Sequence, residues 1–173
     1  MQFTKILKES LLLPQKKAMF QINRIGMDSI MIYLFILFIV ASLPELLSRL
    51  TDWTGSGGEM NIIFQLIYFF MFYYLILSVL LLGVISFIAY LGRGVVYLAN
   101  RKLYYGTLWK LTACSITIPI LVFTFISFIW PIPDWFLFIF FIYPFLLLIR
   151  MVFLYPQKRI RKRNYWNSSV NVL

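Results

Sequence analysis

Thr112, Cys114, Ser115, Thr117 and Pro119 crowd into the stretch YGTLWKLTACSITIP, residues 105–119, where an apolar run long enough to cross a membrane begins. Hydroxyl and thiol groups at this spacing raise three kinds of chemistry: a nucleophile, a polar path for a solute, or a seam where helices pack closely. A nucleophilic hydroxyl or thiol needs a base to take its proton. The chain has no histidine, and the nearest substitute, Lys110, falls at the water boundary of the run. Ser and Thr in a membrane helix have another outlet, the carbonyl one turn earlier in their own helix. Ser115 can serve Leu111 in this way, and Thr117 can serve Ala113. Pro119 has no N–H, which leaves the Ser115 carbonyl without its helical partner and predicts a kink. Thr112, Ser115 and Pro119 share one helix face. Lipid offers hydroxyls nothing, so that face is expected to turn into a bundle. Close packing is the favoured reading, with a polar cavity for a ligand as the alternative.

Other chemistry-bearing residues are sparse. Gln65 can reach across to another helix, and Gly83, Ser86 and Ala89 recur as small residues further along the same run, a loose packing signal. Arg150 is the one charge inside a later run, close enough to its end to snorkel to water. Glu45, Asp52, Glu59 and Asp134 fall at run ends or in loops, and nothing in their spacing makes them converge on a metal or an acid–base pair. No cofactor, metal site or enzymatic activity is expected. The lack of histidine in all four runs and of carboxylates in the last three also argues against a proton-coupled transporter.

The elements that must position these residues follow from composition. Of 173 residues, 62% are apolar, 20% aromatic and only 13% charged, against roughly 45–50% apolar and about 25% charged in a soluble domain. The fold class is an all-α polytopic membrane protein with four spans, at about residues 30–47, 62–92, 111–130 and 135–155. At ~1.5 Å per residue the second run makes a helix of about 46 Å, longer than the ~30 Å bilayer core, so it must tilt or continue into the cytoplasm. Pro131 and Pro133 in WPIPDW are expected to turn the third span into the fourth. The single cysteine, Cys114, permits no intrachain disulfide.

Orientation comes from the 16 Lys and Arg residues. They collect in the N-terminal segment, between the second and third runs, and in the C-terminal tail, with Arg49 alone on the other side. Both termini are therefore expected in the cytoplasm. Cleavage after Val40-Ala41-Ser42 would make the first run a signal peptide, but the basic region before it is longer than such a signal needs. Residues 1–28 form a cytoplasmic segment. Its Phe3, Ile6, Leu7 and Leu11 recur at helical spacing, which predicts an interfacial amphipathic helix ending near Pro14. Residues 29–155 form the membrane domain, and residues 156–173 a basic tail. Lys16 and Lys17, with Lys158, Arg159, Arg161, Lys162 and Arg163, can attract anionic lipid headgroups or simply enforce topology. The net charge of +10 is thus assigned to the membrane and not to nucleic acid, which would need a folded basic surface with stacking aromatics.

Ser10-Leu11, Pro14 with Lys16 and Lys17, Phe20, and Ile25-Gly26 stand shortly before the first run. In this order they resemble the start of a family of small Gram-positive bacterial membrane proteins, known mainly as a domain of unknown function. Some of its members are described as maltodextrin-utilisation proteins. The stretch YYGTLWKLTACSITIP is similar to the opening of a later span in that family and, more loosely, in Yip-type membrane bundles. The resemblance covers about 45 residues and departs from the family between the first two spans, where only about a dozen residues replace a larger extracytoplasmic segment. It implies no catalytic residues. It implies an accessory or scaffold role at the bacterial cell membrane, linked to carbohydrate uptake, with a membrane partner such as a transporter. The alternative is a small oligomeric transporter or channel with Gln65, Thr112, Ser115, Thr117 and Arg150 lining a cavity.

Overall fold

A computed structural model describes residues 2–51, 61–129 and 138–156 of the chain. Every regular element among them is helical. Two short helices, α1 (Gln2–Leu11) and α2 (Lys16–Arg24), precede a long one, α3 (Met27–Thr51). The next rod starts where the Asn61 side chain accepts a hydrogen bond from the Ile63 N–H at 3.2 Å, an N-cap that satisfies one of the free amides of the first turn. It runs through α4 (Ile62–Tyr68), a wider π turn over Phe69–Tyr74, and α5 (Leu75–Leu98). The rod ends at Asn100, whose φ of 53° is the left-handed conformation that stops helices and that Asn tolerates. Helices α6 (Tyr105–Ser115), α7 (Thr117–Ile129) and α8 (Ile139–Leu154) follow.

Three of these rods, Met27–Leu50, Ile62–Leu98 and Tyr105–Ile129, are long and apolar enough to cross a membrane. The second has 37 residues and so spans about 55 Å. The helix thus continues beyond the apolar run, as its length suggested. The third rod is the centre of the bundle, since 50% of its apolar window is buried against 33% and 28% for the other two. The fourth apolar run is described as the 16-residue helix α8. The Pro131–Pro133 turn and the basic residues Lys158, Arg159, Arg161, Lys162 and Arg163 lie outside the described residues.

Hydrogen bonds between helix ends give the direction of each rod. At one pole Gln65 Nε2 donates to the Arg49 carbonyl at 2.7 Å, so α3 ends where α4 begins. At the other pole Arg101, just past α5, donates to the Tyr155 carbonyl at the end of α8. There too Lys110 Nζ, early in α6, donates to the Ile25 carbonyl before α3 at 2.6 Å. The rods therefore alternate in direction. Among the described residues the pole of Ile25, Arg101 and Tyr155 carries the basic cluster, and the pole of Gln65 carries Arg49, ion-paired with Glu45 at 2.8 Å. Arg150 is exposed near the basic end of α8, in keeping with a side chain reaching for water.

The N-terminal helix is amphipathic, but its buried stripe is turned from the expected one: Ile6 is common to both, Phe3 and Leu7 are partly buried, and Leu11 is 49% exposed. Ile6, Glu9, Ser10 and Leu13 form one buried stripe, with Ile6 1% and Ser10 0% exposed. That stripe rests on α3, α6 and α7, and the Phe3 and Tyr33 rings meet at 5.2 Å between centroids. Protein thus occupies the face expected to lie on lipid. The physical reason lies in α1 itself: Ile6, Phe3 and Leu7 pack on the apolar core, and Ser10, which lipid could not satisfy, faces Tyr33 and Cys114. Helix α2 buries Ala18, Met19 and Ile22 and leaves Lys16 and Lys17 exposed.

Candidate functional site

The sequence pattern places the chemistry at the junction of α6 and α7, and the break there falls one turn before the proline. Helix α6 ends at Ser115 and α7 restarts at Thr117, with Ile116 between them at φ −74° and ψ −11°. Pro119 cannot donate to the Ser115 carbonyl, so the helical ladder is interrupted at this turn. Both flanks are repaired locally, by Ile116 N donating to the Thr112 carbonyl at 3.2 Å and Ile120 N to the Ile116 carbonyl at 3.1 Å.

Hydroxyls around the break find partners within the protein. Ser115 Oγ donates to the Leu111 carbonyl at 2.7 Å, as its spacing predicts, and Thr112 Oγ1 donates to the Leu108 carbonyl at 2.9 Å. Thr117 differs from expectation. Its Oγ1 lies 2.9 Å from the Tyr33 hydroxyl of α3, which replaces the predicted bond to Ala113. The kink turns the first residue of α7 toward α3, so an interhelical partner is nearer to hand. Thr112, Cys114, Ser115 and Thr117 are each 0% exposed, and Pro119 is buried with them. The Ser10 hydroxyl of α1 is also buried and makes no hydrogen bond of ordinary geometry, although it faces Tyr33 and Cys114.

No base reaches this cluster. Lys110 is held at the Ile25 carbonyl, at 2.6 Å, and among the described residues no three Cys, Asp or Glu side chains gather closely enough to hold a metal. The arrangement is a buried polar seam in which one hydrogen bond, Tyr33–Thr117, joins α3 to α7, the α6 hydroxyls bond within their own helix, and Ser10 of α1 packs alongside.

The remaining candidates separate. Gln65 bonds across helices to Arg49. Ser86 Oγ accepts from Trp109 Nε1 at 3.2 Å, tying α5 to α6, and Ala89 is fully buried. Gly83 belongs to none of these contacts: nothing lies within 4 Å of where its Cβ would be. The glycine that does permit close approach is Gly92, where a Cβ would overlap Leu148 Cδ2 of α8.

Three residues escaped the sequence reading. Tyr33 and Ser10 complete the polar seam, and Tyr74, just after the π turn, donates to the Phe35 carbonyl at 3.0 Å. The one usable signal was Ser10, four residues after Ile6 and three before Leu13, on the same stripe. Comparison with family models, curated proteins and solved structures finds no match to this chain.

Proposed function

We propose that the chain is a non-enzymatic, four-span integral membrane protein with both termini in the cytoplasm, acting as an accessory or scaffold by contact with other membrane components. The observation that carries this reading is the closed polar seam. The residues best suited to line a solute path, Thr112, Ser115 and Thr117, are fully buried and spend their hydroxyls on protein partners. A path for a small polar solute would instead need such groups facing water.

The fourth span is supported by α8, whose 16 residues extend about 24 Å. In the sequence the same apolar run begins at residue 135. The cytoplasmic placement of the termini is supported by the basic pole. A place in the bacterial cell membrane beside carbohydrate uptake is supported by the N-terminal resemblance.

Affinity purification of the full chain in mild detergent tests the reading. A stoichiometric membrane complex containing a carbohydrate transporter is expected, and a chain that always runs alone overturns the proposal. Reconstitution of the same preparation in liposomes separates the rival transporter: flux of a maltodextrin or other small solute, lost in Ser115→Leu and Thr112→Val, would establish the rival instead.

A further inference from the structure

Helices α1 and α2 and the start of α3 line a half-open cavity of about 440 Å³. Lys5 comes to it from α1, Gln21 and Arg24 from α2, and Ser29 from α3, over an apolar floor of Ile6 and Ile25. Three separate elements thus bring two cations and two uncharged polar groups to one concave surface. The volume lies within the ordinary range for small-ligand sites, roughly 300–1,000 Å³.

The charge of the cavity is uncompensated. Among the described residues neither Lys5 nor Arg24 has an ion-pair partner, the single pair there being Arg49–Glu45 at the opposite pole. The neighbouring acids Glu9 and Asp28 are not part of the lining. Two like charges facing one space repel, and an anion between them turns that repulsion into two attractions. The donor set is suited to phosphate in particular. Arg24 offers a planar fork that can bind two phosphate oxygens, Lys5 a compact point charge, and Gln21 a neutral donor for a further oxygen.

The location fits as well. The cavity abuts Ile25, whose carbonyl is held by Lys110 where the chain enters the first long rod. In a chain embedded as proposed, with its first span beginning at Met27, phospholipid headgroups sit at that level.

We propose that this cavity binds a phosphate group, presented by an anionic phospholipid headgroup or by a soluble phosphate compound. The proposal goes beyond the scaffold reading and stands whether or not a protein partner is found. It also differs from diffuse attraction to the basic surface, because it names a single concave site.

The test uses the full chain in dodecyl maltoside. Native mass spectrometry follows retention of phosphatidylglycerol against phosphatidylcholine, and equilibrium dialysis follows radiolabelled inorganic phosphate. The wild type is expected to hold one molecule of probe, weakened at least ~10-fold in Lys5→Gln/Arg24→Gln, since each loses a charge-assisted hydrogen bond. Arg93→Gln/Lys102→Gln removes the same charge elsewhere on the basic pole and is expected to bind as the wild type does. Lys5→Arg/Arg24→Lys is expected to recover binding and to exclude a folding defect. Retention of phosphatidylglycerol alone assigns the lipid source, and binding of inorganic phosphate alone assigns the soluble one. The proposal is overturned if neither probe binds, or if both glutamine double variants weaken binding equally.

Discussion

Tyr33 Oη and Thr117 Oγ1 lie 2.9 Å apart, and this contact joins α3 to the first residue of α7 next to the helix break. Neither residue is more than 1% exposed. Hydrophobic transfer contributes little to helix association where the alternative neighbour is lipid, so packing and interhelical hydrogen bonds must hold the bundle together. A double-mutant cycle with Tyr33→Phe and Thr117→Val should show a coupling of about 0.6 kcal/mol, and at most about 1.7. Unfolding in mixed detergent, read by circular dichroism, measures it. Additive single effects would mean that the two hydroxyls do not support each other.

Ser115 behaves differently because its hydrogen bond stays within its own helix, to the Leu111 carbonyl. Removing the hydroxyl leaves that carbonyl in an intact helical turn, so Ser115→Ala is expected to change stability by less than about 1 kcal/mol. Ser115→Leu adds volume at a fully buried position and is expected to cost about 1–3 kcal/mol. The same unfolding measurement checks both. A large loss in the alanine variant would show that the hydroxyl serves a partner outside α6.

Legibility in the sequence followed physical uniqueness. Gln65, Thr112 and Ser115 were readable because a polar group inside an apolar run has few places to go, and each was expected inside the bundle or across to a neighbouring helix. Gly83 misled because small size shows that a helix can approach, not which side it approaches from. Gly92, nine residues on, holds that role. The destination of α1 was hidden because an apolar stripe fits lipid and protein equally well. The side chains that Ser10 faces, Tyr33 and Cys114, are remote in sequence. The π turn at Phe69–Tyr74 leaves no periodic signature in a run that is apolar all round.

The two glycines can be set against each other. Gly83→Ala places a methyl in open space and improves helix propensity, so it is expected to be neutral or stabilising by up to about 1 kcal/mol. Gly92→Ala drives a methyl into the end of the Leu148 side chain, which is fully buried and must change rotamer to make room, so a loss of about 1 kcal/mol is expected. Adding Leu148→Val to Gly92→Ala should recover part of the loss if the clash is its cause. A Gly92→Ala variant as stable as the wild type would mean that α5 and α8 are not in close contact.

The alternation of the rods predicts which loops share a side of the membrane. Asn61 lies at the pole of Gln65 and Arg49, whereas Tyr104, 85% exposed, lies between α5 and α6 at the basic pole. Cys114 is wholly buried and should stay silent toward a membrane-impermeant maleimide, so single cysteines can be read against the native background. In intact cells the proposed orientation, with the basic pole toward the cytoplasm, predicts that Asn61→Cys labels at once and Tyr104→Cys only after permeabilisation. The reverse pattern would invert the protein. Labelling of both residues from outside would break the antiparallel order that the Arg101–Tyr155 and Lys110–Ile25 contacts define.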